Sequence, residues 1–470
     1  MLIPFNKVTP QVVDQLVSFC GKEHVLFDKK ILQQYGQDET EDLLFPPEVV
    51  VKPSSPEEIV MIMKLCNKEN IPVTPISART GLSGGALSVF GGVGISMERF
   101  NRIIDIDESN LQATVEPGVI TQVFQEAVQE IGLFYPPDPA SRGSCSIGGN
   151  LAENSGGPKA VKYGVTKDYV LNLQVVLPNG EIIWTGANVL KNSTGYNLTQ
   201  LFVGSEGTLG IITKAVFRLI PYPKYDMLML VPFLRPEKAC EAVSAIFKAG
   251  IVPSVLEFME RDAIDMSMKY LGNISFDIRD EHLAHLIIEV DGMHQKVLFE
   301  ECDRIYKIVK KYDCDEMLIA ENSDQKDKLW KLRRHAGEAV KAHSLYKEED
   351  TVVPRYRLPD LLKGVKEIGK EYGFRSVCYG HAGDGNLHIN ILKEDIDDDK
   401  WNRELPIAVG KIFNLTVSLG GTISGEHGIG WTQRQYLPIA LGEEEIRLQK
   451  AVKAVFDPKN ILNPGKIFID

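Results

Sequence analysis

Between residues 74 and 212 the chain carries a succession of glycine-dense loops, each beside a predicted strand or turn. No other feature restricts its fold as much. The first loop, Thr74-Pro-Ile-Ser-Ala-Arg-Thr-Gly-Leu-Ser-Gly-Gly85, follows a predicted strand at Pro72–Thr74. Closely spaced glycines let backbone N–H groups approach an anion that a Cβ would hold off, so this loop is a candidate phosphate cradle. Its glycine spacing and the lack of a following helix separate it from the dinucleotide fingerprint and the P-loop. Taken alone it reads equally as a structural turn. Tyr135-Pro-Pro-Asp-Pro-Ala-Ser141 then leads into Ser146-Ile-Gly-Gly-Asn150, Asn154-Ser-Gly-Gly157 and Lys162-Tyr-Gly164, and Phe202-Val-Gly-Ser-Glu-Gly-Thr-Leu-Gly-Ile-Ile212 comes later. Structural need alone rarely concentrates glycine so. The pattern implies a large, nucleotide-type cofactor touched by backbone at many points.

The segments around these loops read as α+β. Val49–Val51 is a predicted strand, and Ser55-Pro56-Glu57-Glu58 supplies an N-cap, a proline at the first helical position and a capping-box glutamate. Ile59, Ile62, Met63 and Cys66 follow at helical spacing. Ile103–Ile106 and Ala113–Val115 form a predicted strand pair. Leu173–Leu177 and Glu181–Trp184 flank an Asn179-Gly180 hairpin turn. From Lys224 the glycine density falls. Met227–Val231 is a predicted strand, one amphipathic helix opens at Pro236 and runs through Ala242, Val243, Ile246 and Phe247, a second carries Leu298, Cys302, Ile305 and Ile308, and the alternation predicts an antiparallel sheet with helices packed on it.

A length of 470 residues accommodates two or three domains. The formal net charge of −12 argues against nucleic acid, which is bound through an excess of Lys and Arg. No stretch approaches the ~18–20 uncharged apolar residues of a transmembrane helix, and Met1–Lys7 lacks a secretory signal. Cys20, Cys66, Cys145, Cys240, Cys302, Cys314 and Cys378 are scattered, odd in number and never spaced C-x-x-C. That speaks against a disulfide scaffold and an iron–sulfur site and points to a cytoplasmic protein, with a peripheral place at the inner membrane open to it through a partner.

Near the C-terminus the chain reads Gly380-His-Ala-Gly-Asp-Gly-Asn-Leu-His388 and then Ser424-Gly-Glu-His-Gly428. In Leu387-His388-Ile389-Asn390-Ile391 the period of two puts His388 and Asn390 on one face and the apolar residues on the other. Gly383-Asp384-Gly385 makes a turn able to fold His381 back toward that polar face. His381, His388 and Glu426 are then a three-ligand set with open positions, as a catalytic metal requires. Zinc suits the set, and manganese or ferrous iron would accept it. The plainer reading of a lone histidine is a satisfied core residue; three in two glycine-flanked loops favour the metal.

The loops from about residue 40 to 222 resemble the FAD-binding domain of the vanillyl-alcohol oxidase and p-cresol methylhydroxylase flavoproteins, and the two C-terminal motifs resemble those of FAD-linked D-2-hydroxyacid dehydrogenases. The resemblance implies that Pro75, Ser77, Ala78, Arg79, Thr80 and Gly81 hold a pyrophosphate. By the same resemblance Pro137, Asp138, Ser141, Ser146, Gly149, Asn154 and Gly164 line the flavin, with Glu206, Gly210 and Ile211 on the adenine and ribityl side. Asn463 joins this set. At Ala78-Arg79 the chain departs from the family's frequent Gly-x-Gly turn, and the Arg79 guanidinium is available for a phosphate contact. No histidine stands in the loop for covalent attachment, so FAD is expected to be noncovalent. The resemblance further implies His381, His388 and Glu426 as metal ligands, His427 as the base, Arg333 as the grip on the substrate carboxylate and Asn390 as its polar neighbour.

The expected architecture is therefore α+β: a two-part FAD-binding domain of the p-cresol methylhydroxylase type, plus an antiparallel-sheet substrate (cap) domain with helices on one face. The expected boundaries are an N-terminal helical segment over 1–40, the FAD-binding domain over 41–222, the cap over 223–415 and a returning segment over 416–470. The expected reaction is metal-assisted oxidation of a small D-2-hydroxy acid, D-lactate or glycolate, with electrons passed to an iron–sulfur subunit, an electron-transfer flavoprotein or a quinone. The alternatives are a D-2-hydroxyglutarate dehydrogenase, a non-redox enzyme like alkylglycerone-phosphate synthase, and a flavin- or metal-storage subunit. Hydroxyglutarate calls for an extra cation, which that subgroup carries as a lysine where this chain has Glu348.

Overall fold

The computed structural model describes residues 5–40, 43–274, 276 and 278–469; the first four residues of the expected N-terminal segment lie outside them. The chain divides into two units. The first comprises residues up to Ser155, Val165–Tyr222 and the stretch from Glu426 onward; the second comprises Gly156–Gly164 and Pro223–Gly425.

In the first unit, Val49–Val51, Val93–Ser96 and Val73–Ile76 pair in parallel, with Val25–Leu26 antiparallel at the edge. Val49–Val51 and Val93–Ser96 are buried throughout, the signature of strands covered on both faces. The helix Pro56–Glu69 links the first of these strands to Val73–Ile76 and buries Ile59, Ile62, Met63 and Cys66 against them. Its cap forms as the sequence predicts at Ser55, which accepts from Glu58 N at 3.3 Å. The Glu58 carboxylate, however, takes the N–H of Ser54 at 2.7 Å, one residue before the position a capping box uses. A second, antiparallel sheet runs in the order Ile103–Asp107, Gln112–Val115, Ile211–Arg218, Val170–Val176, Ile182–Trp184. The Asn179-Gly180 turn closes its last hairpin, with Gly180 at φ 83°.

The C-terminal stretch returns to the first sheet. After the helix Glu443–Phe456, the Ile461 carbonyl accepts from Val73 N at 2.7 Å and Asn463 N donates to the Val73 carbonyl at 2.7 Å. These bonds seat the end of the chain along the edge of the strand Val73–Ile76.

The second unit is one seven-stranded antiparallel sheet in the order Leu318–Ile319, Tyr225–Phe233, Ala284–Gly292, Val255–Glu260, Arg375–Gly380, Asn386–Leu392, Tyr346–Val352. Helices cover both of its faces, where the sequence predicts one. Pro236–Lys248, Gln295–Val309 and Leu358–Tyr372 pack on one side. On the other, Arg261–Leu271, Ser323–Arg334 and Ala336–His343 pack over Leu228, Leu230, Met259, Ile287 and Val377. The reason lies in the central strands: Val255–Glu260 is buried at every position, so neither face can be left to water. Gly156–Gly164 is tied to the same sheet: Lys162 Nζ and Tyr163 Oη donate to the buried Asp291 carboxylate at 2.5 and 2.9 Å, and Lys159 reaches Glu289. No helix among the described residues is long and apolar enough to cross a membrane.

Candidate active site

The glycine-dense loops of the first unit line an open cavity of about 270 Å³. Pro75, Ser77, Ala78, Arg79, Thr80 and Gly81 line it, with Ser141, Gly149, Glu206, Gly210, Ile211 and Asn463. Glu426 and His427 stand on the wall of the same cavity. Among the described residues no backbone carbonyl takes the N–H groups of Ala78, Arg79, Thr80 or Gly81. Unclaimed, adjacent N–H groups on a loop fit an anion such as a pyrophosphate. Arg79 adopts φ 59°, the left-handed region that costs a non-glycine residue about 1 kcal/mol. Its guanidinium does not turn to the cradle as the sequence allows. It lies 4.7 Å from the centre of the Tyr35 ring and donates to the Gln34 carbonyl, so the loop offers its backbone to the anion.

Other expected cofactor residues stand off that wall. Asp138 is buried beside Arg142, 3.4 Å away, and the Pro137 carbonyl accepts from Gln125 Nε2 at 2.8 Å. Ser146 caps the helix Ile147–Glu153 and its hydroxyl meets that of Ser77. Asn154 ends the same helix at φ 54°, accepting from Lys167 N at 2.9 Å. Gly164 belongs to the second unit. Each does work on the loop's shape that a sequence motif does not distinguish from ligand contact.

The second unit gathers side chains by sheet register. His388 pairs with Tyr379 on one side and Asp350 on the other, and Asn390 with Val377 and Glu348, so Tyr379, His388, Asn390, Glu348 and Asp350 share a face. Phe258 pairs with Gly380, which sets Glu257 beside His381 on that face. The turn at Gly385, φ 80°, folds His381 back, and its ring centre lies 5.4 Å from that of His388 at 83°. The two imidazoles offer ring nitrogens within 4.8 Å of each other, the spacing of two ligands on one ion.

Two carboxylates that the sequence does not place against these rings flank them. Glu257, fully buried, accepts from His381 Nδ1 at 2.8 Å and holds Arg333 Nη2 at 2.6 Å. Burial alone would raise the Glu257 pKa; the Arg333 and His381 charges outweigh it and hold the carboxyl below its usual range. Glu348 lies 3.2 Å from His388 Nδ1. The Glu257 bond fixes the Nδ1–H tautomer of His381 and leaves its Nε2 as the lone-pair donor, the orientation a metal-binding histidine needs. Arg333 is 5 % exposed, its guanidinium 5.1 Å over the Tyr379 ring, and its Nε is buried without a hydrogen-bond partner. Asn390 donates to the Val377 carbonyl at 3.2 Å while its buried Oδ1 has no partner. Unmatched buried polar atoms are costly, and here they fit a polar ligand. Gly425 N and Ser424 Oγ, just before Glu426, are anchored on the Asp350 carboxylate at 2.8 and 3.3 Å.

The chain matches known families and relatives along nearly its whole length. The family described as "FAD linked oxidases, C-terminal domain" matches residues 222–467, and that described as "FAD binding domain" matches residues 47–186. The chain is 38% identical to a D-lactate dehydrogenase of Anaerostipes hadrus, over 98% of both chains. It is 39% identical to the glycolate oxidase subunit GlcD of Bacillus subtilis, over 98% of this chain and 97% of that one. Identity to a D-2-hydroxyglutarate dehydrogenase of Stutzerimonas stutzeri is 33%, over 98% and 99%. Among solved structures, p-cresol methylhydroxylase shares the fold, with a TM-score of 0.80, 19% identity and coverage of 100% of this chain and 99% of that one.

Proposed function

This chain belongs to the FAD-linked oxidase family, an FAD-dependent oxidoreductase, and on that premise we propose that it oxidises a small D-2-hydroxy acid, D-lactate or glycolate, to the 2-oxo acid. The observation that carries the reading is His427 on the wall of the cavity built by the flavin-binding loops. His381, His388 and Glu426 are the proposed ligands of a divalent ion, zinc by preference. Bound FAD supplies the two-electron acceptor, and a divalent ion the Lewis acid that lowers the pKa of the substrate hydroxyl.

The chain's own residues do the rest. His427 takes the hydroxyl proton as general base. Arg333, held by Glu257 on one side and Tyr379 on another, keeps its free N–H for the substrate carboxylate and fixes the orientation of Cα. Asn390 lends its unmatched Oδ1 to the same group of polar contacts. Glu257 holds the His381 imidazole so that its ligand nitrogen is presented without rotamer loss, and the Glu348 carboxylate lies beside that of His388. An external acceptor, an iron–sulfur subunit, an electron-transfer flavoprotein or a quinone, takes the electrons onward.

Glu348 also favours a monocarboxylic substrate over D-2-hydroxyglutarate, because a second substrate carboxylate near it would meet like charge. The test is anaerobic bleaching of the bound flavin by a panel of acids. D-lactate or glycolate should bleach it, and chelation should abolish the bleaching, with partial recovery on adding a divalent metal. Faster bleaching by D-2-hydroxyglutarate would move the substrate assignment, and no bleaching by any 2-hydroxy acid would end it.

A further inference from the structure

We propose that Glu206 is a positioning residue for the loop that presents His427, rather than a contact to the cofactor's adenine or ribityl side. The proposal rests on the reading of His427 as the base. Both oxygens of the Glu206 carboxylate are engaged: Oε1 accepts from Ile429 N at 2.8 Å and Oε2 from Gly430 N at 2.6 Å. These are the second and third residues after His427, and hydrogen bonds to an ionised acceptor are among the stronger ones available to a backbone N–H.

The clamp is itself immobilised. Glu206 sits at φ 51°, a conformation a non-glycine residue keeps only where its surroundings impose it. Its N–H donates to the Ala152 carbonyl at 2.9 Å, and its carbonyl accepts from Asn463 Nδ2 at 2.8 Å. Asn463 therefore serves the clamp as well as lining the cavity.

A second carboxyl closes the arrangement. A Cβ on Gly428 would fall 2.1 Å from Glu153 Oε2 and 3.0 Å from Glu206 Oε1, so the peptide after His427 runs bare across two carboxyl groups, at φ 77°. Glu153 Oε2 is buried with no hydrogen-bond partner. Burial first, then the neighbouring Glu206 charge, pushes the Glu153 carboxyl well above its usual range. Burial raises Glu206 too, but the N–H groups of Ile429 and Gly430 oppose it. Two buried carboxyls this close do not both ionise; Glu206 carries the charge and Glu153 the proton. One residue further on, the Ser83 carbonyl accepts from Trp431 N at 2.8 Å, and a Cβ on Gly430 would lie 2.2 Å from the same oxygen. The loop is thus gripped at two points immediately beyond His427, with no side chain intervening at Gly428 or Gly430.

Glu206→Gln keeps the shape and removes the charge and one acceptor. In the FAD-loaded protein the expected result is unchanged FAD content and KM, with the anaerobic flavin-reduction rate down about tenfold or more. Hydrogen exchange of the amides in 428–431 should become faster in the same variant. Gly428→Ala, which attacks the clamp from the loop side, should reproduce both effects and serves if Glu206→Gln does not fold. In His427→Ala supplied with free imidazole, adding Glu206→Gln should cost nothing further. Unchanged exchange at 428–431 overturns the proposal. So does a rate loss that follows FAD occupancy, or one that persists in full with imidazole in place of His427. Near-wild-type flavin reduction in His427→Ala, by contrast, removes the base assignment, while the exchange measurement still decides whether the clamp exists.

Discussion

The two units recognise their ligands by different means. The cavity of the first is walled by loops that expose backbone N–H groups, and the one arginine or lysine among its described lining residues, Arg79, points elsewhere. The polar face of the second is made of side chains, brought together by the register of strands that are far apart in sequence. Backbone recognition depends on conformation, so it is damaged by adding a Cβ in the wrong place. Side-chain recognition depends on functional groups, so it is damaged by removing one atom type while the backbone stays put. Cofactor binding and chemistry should therefore separate under mutation.

The largest effect expected is that of His427→Ala, which should keep FAD and lose at least ~10²-fold in turnover; loss of the flavin from that variant would blur the distinction between the two kinds of site. Glu257→Gln comes next. It leaves Arg333 and His381 sharing a neutral partner, and metal affinity measured by competition with a chelator should fall about 10- to 100-fold with the FAD content unchanged. An unaltered metal affinity would leave Glu257 as a structural anion only.

Gly207→Ala probes the other region. Gly207 is at φ 64° and a Cβ there would lie 2.8 Å from Pro75 Cγ, at the start of the cradle. FAD should bind about tenfold more weakly, at a cost of about 1.4 kcal/mol, while the turnover of the fully loaded protein stays near wild type. A variant with normal FAD affinity and slow turnover would reverse the division of labour.

The smallest effect expected is on stability against pH. Burial, more than its neighbours, brings the Lys466 pKa down to about 7 in the folded chain. A lysine with a lowered folded pKa is protonated in the unfolded chain and neutral in the folded one between about 7 and its ordinary value of 10.5. The unfolded state then binds more protons, so stability from this group rises with pH across that window and is constant below it. The melting temperature of wild type, relative to that of Lys466→Met, should therefore increase from pH 7.5 to 9.5. A flat difference would place the charge back on Lys466.

Much of the cavity was legible in the sequence, because backbone recognition leaves a compositional trace: the residues from Pro75 to Gly81, Gly149, Gly210 and their neighbours around the cavity stand in glycine-dense loops. The same trace misleads locally. Asn154 ends a helix in the left-handed conformation, which a motif cannot tell apart from ligand contact. The pairing of His388 with Asn390 on one face followed from the period of two alone. Glu257 was not legible, because it meets His381 across 124 residues through a strand pairing that no local pattern announces. Glu348 declares its charge in the sequence but not its place 3.2 Å from His388 Nδ1. The second helical layer of the cap went unseen for a related reason: strands buried on both faces lose the alternation that would mark which side is covered.

The bonds from Val73 to Ile461 and Asn463 have a consequence for how the chain is made. A ribosome releases residue 73 long before residue 463, so the strand at Val73 waits with an open edge while the residues between them are made. During that interval its unpaired N–H and C=O groups invite other strands. Fragments that stop short of residue 461 should therefore precipitate or bind chaperones, even when they contain every loop around the flavin cavity except the last.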